Sequence, residues 1–253
     1  MKTGNRLSDL QFAGKREKRH KTLAALGFQA LPCDEPGIEL WHTSLMAGSA
    51  RQQQLAATLP PDEKHRAARF HSADDRRRFV VARGMLRQLL GHYLAISPRA
   101  VVFCYGNHGK PRIDHDTELQ FNLAHSDERA AYAISVRRPV GIDIERVTRG
   151  LDFERVARRF FSPNEFHALL QLPEARRRYA FYRLWTAKEA VVKATGKGLA
   201  QSLKNFEIDI SDSRMPRLIQ ACEKGLMKMK LCAPKAGRTY IVTVAVATVD
   251  SRY

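Results

Sequence analysis

Three carboxylates and one lysine occur in two short stretches whose spacing allows them to share a site. The first is Val140-Gly141-Ile142-Asp143-Ile144-Glu145. The second is Trp185-Thr186-Ala187-Lys188-Glu189-Ala190-Val191-Val192-Lys193, followed by Gly196-Lys197-Gly198-Leu199. Side chains alternate along a strand, so a strand over 139–145 turns Asp143 and Glu145 to one face and Ile142 and Ile144 into a core. On a helix over 174–195, Glu189 and Lys193 are four apart and share a face. If those faces meet, three acidic oxygen ligands converge beside one cation, which suits a hard divalent ion holding a phosphate-bearing substrate. In outline this is phosphoryl-transfer chemistry.

The elements that must position these residues are legible from periodicity. Ile38-Glu39-Leu40-Trp41-His42 alternates as a strand, and Pro61-Asp62-Glu63 opens a basic helix through Arg66, Arg69 and Phe70. Ser72 caps a helix running to about Ala95, with Phe79, Val80, Leu86, Leu89, Leu90 and Tyr93 on one face. Strands follow at 101–105, 121–124, 130–136 and 139–145. Between the first two lies a turn, Gly106-Asn107-His108-Gly109-Lys110-Pro111, with Lys110 at its tip. Ser162-Pro163-Asn164-Glu165 reads as a capping box opening a helix, and Gly196 and Gly198 close the long helix 174–195. Alternation at 206–210, 226–233 and 239–247 predicts a three-stranded antiparallel finish.

An internal similarity links the halves. Arg76-Arg77-Arg78-Phe79 with Arg83 recurs as Arg176-Arg177-Arg178-Tyr179 with Arg183. The expected fold is α+β: a pseudo-dimer of two similar lobes, each a small, mostly antiparallel sheet packed on a long helix. The boundaries are a basic, flexible extension over 1–37, an N-terminal lobe over 38–138 and a C-terminal lobe over 139–253 carrying the metal site. An interface between such lobes is a natural ligand cleft. The basic run Lys15-Arg16-Glu17-Lys18-Arg19-His20-Lys21 precedes apolar residues from Leu23 to Leu31, but Gln29 interrupts them and the basic part is long for a targeting sequence.

Composition narrows the partners. The 253 residues are 44% hydrophobic, and 43 Lys and Arg against 26 Asp and Glu give a net charge of +17, which calls for a polyanionic partner. No apolar run reaches the length of a membrane helix. The four cysteines, Cys33, Cys104, Cys222 and Cys232, have no zinc-type spacing and read as buried reduced thiols of a cytoplasmic protein. A nucleic-acid-binding protein would account for the charge but not for the acidic cluster, and aromatic content is only 8% with no interleaved RNA-binding motif. A metal-dependent nuclease or pyrophosphatase would fit charge and carboxylates alike, but not the order of the motifs.

That order resembles the Sfp-type 4′-phosphopantetheinyl transferases over about residues 38–247. The resemblance rests on Gly141-Ile142-Asp143-Ile144-Glu145, on Phe160-Phe161-Ser162-x-x-Glu165, and on Trp185-x-x-Lys188-Glu189-Ala190-x-x-Lys193-x-x-Gly196-x-Gly198-Leu199. Gly109-Lys110-Pro111, Phe121-Asn122-Leu123-Ala124-His125-Ser126 and the helix through Arg77, Arg78 and Arg83 add weaker support. The resemblance implies coenzyme A bound between the lobes with magnesium, and transfer of its phosphopantetheine arm to a carrier-protein serine, releasing 3′,5′-ADP. Asp143, Glu145 and Glu189 match the family's metal ligands, Asp143 standing also against coenzyme A. Lys193 matches a lysine near the diphosphate and leaving group. Lys110, Pro111 and His125 match the coenzyme A phosphate site, and Arg66 and Arg78 fall where the nucleotide end is contacted.

The serine proton could go to Glu189 directly or through a metal-held water. Ala124 stands where the family usually has a serine, so a hydroxyl contact to phosphate is lost there. The partners implied are acidic carrier proteins or domains of fatty-acid, polyketide or peptide synthases, with no nucleic acid and no membrane, and the two-lobe pattern favours a monomer. The segment from Val147 to Phe161, with Arg149, Arg155, Arg158 and Arg159, is the expected carrier-docking region.

Overall fold

In chain order the computed structural model contains helix α1 (Arg16–Ala25) and strands β1 (Gln29–Leu31) and β2 (Ile38–Ser44), then helices α2 (Ser49–Ala56), α3 (Pro61–Ala68) and α4 (Ala73–Leu94). Strands β3 (Phe103–Tyr105), β4 (Pro111–Ile113), β5 (Leu119–Ser126), β6 (Arg129–Val136) and β7 (Val140–Arg146) follow. Helices α5 (Phe153–Phe160), α6 (Pro163–Gln171) and α7 (Glu174–Thr195) precede β8 (Phe206–Asp209), β9 (Arg217–Ala221), β10 (Met229–Cys232) and β11 (Tyr240–Ala247). The residues described are 16–198, 201–212, 215–222 and 228–248.

Two sheets, β1-β2-β6-β5 and β10-β11-β7, share one plan. Each is entered by a strand (β2 or β7), left through a 22-residue helix (α4 or α7) and completed by two antiparallel strands, so β2-β6-β5 corresponds to β7-β11-β10. The two arginine-rich repeats begin these two helices. Ser72 accepts from Asp75 N at 3.4 Å to cap α4, and Ser162 and Glu165 form a reciprocal capping box on α6. Gly196, at φ 71°, ends α7 in the left-handed conformation that glycine adopts without strain.

Strand alternation gives each sheet two apolar faces and hence four layers. Val81, Met85, Leu86 and Leu89 of α4 pack on Trp41, Phe121, Tyr132 and Ile134. Phe181, Leu184, Ala187 and Val191 of α7 pack with Ile241 and Ala245. The remaining faces meet each other, Leu40, Ala124, Ala131 and Ala133 against Ile142, Ile144, Val242 and Val244. The two similar α+β lobes are therefore joined back to back through a dry sheet-on-sheet core.

Four expectations need correction. The chain from residue 16 to 37 is not a loose extension: α1 buries Leu23 and the following turn buries Phe28, and β1 pairs antiparallel with β2. Arg19 Nε donates to Glu39 Oε2 at 3.1 Å beneath it, so even the basic run contributes a buried ion pair. Residues 1–15 of that extension lie outside those described. The antiparallel finish is divided, since β8 and β9 form a separate hairpin and the third strand beside β10 and β11 is β7. Of the expected strand 226–233, residues 226 and 227 lie outside those described. The cysteines are free, but none is fully buried: Cys104 and Cys222 are exposed, and Cys33 and Cys232 are half-buried, because all four sit on short edge strands or beside them. Position 124 faces the inter-sheet core, 5% exposed, so a methyl there serves packing.

Candidate active site

Gly141 allows the site to form. A Cβ at this position would stand 2.1 Å from Ala190 O and 2.3 Å from Ala194 N, so α7 crosses β7 with backbone against backbone. The same face of β7 then carries Asp143 and Glu145 under the turn of α7 that bears Glu189 and Lys193. Lys193 Nζ donates to Asp143 Oδ1 at 2.5 Å. The other Asp143 oxygen, Oδ2, is buried without a hydrogen-bond partner. The strand face that carries Asp143 and the helix face that carries Lys193 therefore meet.

A second set of contacts sets Glu145. Ser126 Oγ donates to Glu145 Oε2 at 2.6 Å and accepts from Arg146 N at 3.1 Å. Four residues earlier on each strand, Asn122 Oδ1 accepts from Ile142 N at 2.8 Å. β5 and β7 thus run side by side in parallel, joined across the lobes by side chains in place of a backbone ladder. Both residues stand in the segment Phe121 to Ser126 that supports the resemblance, but the sequence assigned neither of them this role.

The acidic cluster is electrostatically loaded. Burial raises the pKa of Asp143, partly offset by Lys193. Burial also raises Glu145 and Glu189, and neighbouring carboxylates add to it: Asp143 acts on both, and Glu189 acts on Glu145. Glu189 makes no hydrogen bond or ion pair among the described residues. A hard cation with oxygen ligands fits this set, because it would occupy the free oxygen of Asp143 and relieve the mutual repulsion. The three do not form a ready-made cage: among the described residues no three acidic, histidine or cysteine side chains stand grouped to ligate an ion. The ammonium of Lys193 balances Asp143 instead.

Glu189 and Lys193 open onto a cleft of about 670 Å³ between the lobes. The N-terminal lobe contributes His108, Gly109, Lys110, Pro111 and Asn122, and the C-terminal lobe contributes Arg159, Phe160, Trp185 and Lys204. The basic side chains Arg159, Lys193 and Lys204 face one acid, Glu189. Arg159 and Lys204 were not singled out for this site from the sequence, since lone basic residues in so basic a chain carry no signal. Trp185 both lines the cleft and stacks on Phe181, 5.9 Å between ring centroids, whereas Phe181 is core.

The other candidates lie differently. Pro111 lines the cleft. The Lys110 ammonium donates to Val140 O at 2.9 Å, Lys193 O at 2.6 Å and Ala194 O at 3.3 Å, which uses its three hydrogens on one carbonyl at the start of β7 and two at the end of α7. Burial lowers its pKa to about 8. Lys110 thus lines the cleft while its ammonium ties the lobes together, since a cation near a helix C-terminus is held by dipole and carbonyls alike. Arg78 is held by Asp75 at 3.0 Å and Glu128 at 2.9 Å. His125 has its pKa lowered by desolvation and by the nearby charges of Lys193 and Arg78. Arg66 is exposed on α3 with its guanidinium 5.3 Å from the Phe79 ring centre, and does not line the cleft.

The remaining motif residues prove architectural. Lys188 is fully buried, with Nζ 2.8 Å from Glu165 Oε2 and donating to Leu203 O at 2.7 Å and Phe206 O at 2.5 Å. Glu165 in turn accepts from Ser162 N and Ile208 N, each at 2.9 Å. This buried pair joins the capping-box motif to the Trp-x-x-Lys-Glu motif and steadies the turn of α7 that presents Glu189.

Comparison with known proteins agrees with this architecture. Residues 139–245 match a model of the 4′-phosphopantetheinyl transferase superfamily, and residues 46–137 match one of the 4′-phosphopantetheinyl transferase N-terminal region. The chain is 40% identical to the 4′-phosphopantetheinyl transferase HetI of Nostoc sp. over 76% of this chain and 82% of that one. It is 33% identical to the 4′-phosphopantetheinyl transferase psf-1 of Bacillus pumilus, over 65% and 70% of the two chains. It is 29% identical to the 4′-phosphopantetheinyl transferase Sfp of Bacillus subtilis, over 72% and 84%. Fold and matches together make the chain a two-lobed α+β transferase. It belongs to the 4′-phosphopantetheinyl transferase superfamily.

Proposed function

We propose that this chain transfers the 4′-phosphopantetheine arm of coenzyme A to a serine hydroxyl of an acyl or peptidyl carrier protein, with magnesium, releasing 3′,5′-ADP. The observation that carries the reading is a basic cleft between the lobes lined by Glu189 and Lys193, with Lys193 paired to the buried Asp143 beside Glu145, in a chain of this family. Asp143, Glu145 and Glu189 would hold the ion, which when bound supplies charge neutralisation at the diphosphate.

The chain's own groups account for the rest. The serine oxygen attacks the phosphorus bearing the pantetheine arm, and the bond from that phosphorus to the oxygen of the ADP side breaks. Glu189, a stronger base than an ordinary carboxylate because burial and Asp143 raise its pKa, takes the serine proton. Lys193, on the same helix face and lining the cleft, neutralises the departing diphosphate. Arg159 and Lys204 extend the positive lining toward the remaining phosphate charge.

An acidic carrier suits the surface beside this cleft. α5 packs Phe153, Val156 and Phe160 inward and carries Arg155, Arg158 and Arg159, in a chain of net charge +17. The reading includes a monomeric, cytoplasmic enzyme. Its test is the intact mass of an apo carrier protein incubated with the chain, coenzyme A and magnesium. A gain of one phosphopantetheine, abolished by chelator and by Glu189→Ala, is expected. No gain on carriers from fatty-acid, polyketide and peptide systems alike overturns it.

A further inference from the structure

We propose that Cys33 and Cys232 form a redox pair, which a hydroperoxide converts to a disulfide joining the two lobes. Cys33 follows β1, the outer strand of the N-terminal sheet, and Cys232 ends β10, the outer strand of the C-terminal sheet. Both are half-buried, both pack against the core between the sheets, and together they line a small cavity of about 80 Å³ with Glu35, Ile38, Lys230 and Val244. The two thiols thus meet one small space at the junction of the lobes.

The corner that carries Cys33 is tied to the C-terminal lobe independently of the thiols. Glu35 accepts from Arg138 Nη2 at 2.6 Å and lies 3.4 Å from Lys230 Nζ, two residues before Cys232. Arg138 also donates to Pro36 O at 3.0 Å and to Ala247 O at 2.7 Å, reaching both sheets. These contacts fasten the corner that carries Cys33 to the strand that carries Cys232.

The roles within the pair differ. The neighbouring Cys232 thiol is the largest cause lowering the Cys33 thiol to about 7, and Cys33 in turn raises the thiol of Cys232. Cys33 is therefore the attacking thiolate and Cys232 the resolving thiol. The Cys33 sulfur attacks one oxygen of the hydroperoxide, the O–O bond breaks, and the released oxide takes up a proton, which leaves a sulfenic acid. The Cys232 sulfur then attacks that sulfur, gives up its proton and expels the oxygen as water. With hydrogen peroxide the balance is two thiols oxidised, one peroxide reduced and two waters formed.

In each sheet the bridged strand lies at the edge opposite the β5–β7 seam, so the bond would staple the back of the sandwich without touching Asp143 or Glu145. It would close a loop over most of the chain and so stabilise the fold. The test treats the full chain with hydrogen peroxide and follows intact mass, non-reducing peptide maps and Tm. The expected result is loss of two hydrogens, a linked peptide containing Cys33 and Cys232, a higher Tm, and reversal by dithiothreitol. In Cys232→Ser the same dose should add oxygen at Cys33 instead. Oxygen added to the unsubstituted chain without loss of hydrogens, or links formed through Cys104 or Cys222, overturns the proposal. The map of the unsubstituted chain decides the matter even if the serine variant folds poorly.

Discussion

Lys193 Nζ stands 2.5 Å from Asp143 Oδ1, one helical turn beyond Glu189, so the chain places an ammonium of its own against the acidic cluster. Asp143 is almost fully buried and Lys193 about one-third exposed, which makes the carboxylate the more dependent partner. Lys193→Met should therefore destabilise the metal-free protein by about 2 kcal/mol, less than a fully buried pair would cost because Lys193 meets solvent. Magnesium should restore part of that loss while turnover stays low by a factor on the order of 100. Thermal melts with and without magnesium, set beside transfer rates, check both halves.

Glu189 has the opposite balance. Its folded-state pKa is raised, so between the unfolded and folded values the native state binds more protons and stability falls as pH rises. Glu189→Gln should raise the Tm of the metal-free protein, by an amount that grows as pH rises through the carboxylate range, and should abolish transfer. Melts from acid to neutral pH in chelator would show the two curves separating. Parallel curves would remove the electrostatic argument.

The β5–β7 seam makes a separate prediction. Asn122→Ala leaves the buried Ile142 N–H without its partner, for a cost of about 1–3 kcal/mol. Ser126→Ala removes the donor that holds Glu145 and partly offsets its raised pKa. The serine change should shift the magnesium concentration needed for half-maximal rate more than it shifts stability, whereas the asparagine change should do the reverse. Urea unfolding and magnesium titration separate them.

Lys188 should behave as scaffold despite lying next to Glu189. Glu165→Gln or Lys188→Met leaves one charge buried alone, a loss of about 3–5 kcal/mol, and the double change should recover part of it. Chemical denaturation of the three variants measures the coupling, and additive losses would contradict a direct pair.

The N-terminal segment is expected to be indispensable. Deleting residues up to 31 would expose Glu39 without Arg19 and uncover the core around Trp41 and Tyr132, where Leu23 and Phe28 now lie. Such a truncation should fold poorly or not at all, and Arg19→Ala alone should cost about 3 kcal/mol by removing the guanidinium paired with the buried Glu39, which keeps the Tyr93 hydroxyl as a donor. Circular dichroism melts of both forms would show it.

Local pattern carried much of this. Alternation at Asp143 and Glu145, the i to i+4 spacing of Glu189 and Lys193, the capping box at Ser162 and the glycine stop at Gly196 all depend on neighbours within a turn or a strand, and those are present in the sequence itself. The two arginine-rich repeats likewise marked the starts of the two long helices. The N-terminal extension was misread because α1 is basic and mostly exposed: its anchoring depends on Leu23 and on Arg19 meeting Glu39, 20 residues away, which no local period announces.

By itself, then, the sequence determined the two long helices, the main strands, the two-lobe repeat and the ligating residue types, because backbone sterics and hydrophobic periodicity act over a few residues. Only the tertiary structure decided that Gly141 lets α7 touch β7, that Asn122 and Ser126 join the lobes, that Lys110 and Lys188 serve the scaffold, and that Cys33 and Cys232 line one cavity. Those outcomes turn on burial and on contacts between residues far apart in the chain, and a charge or thiol acquires its role from what surrounds it after folding.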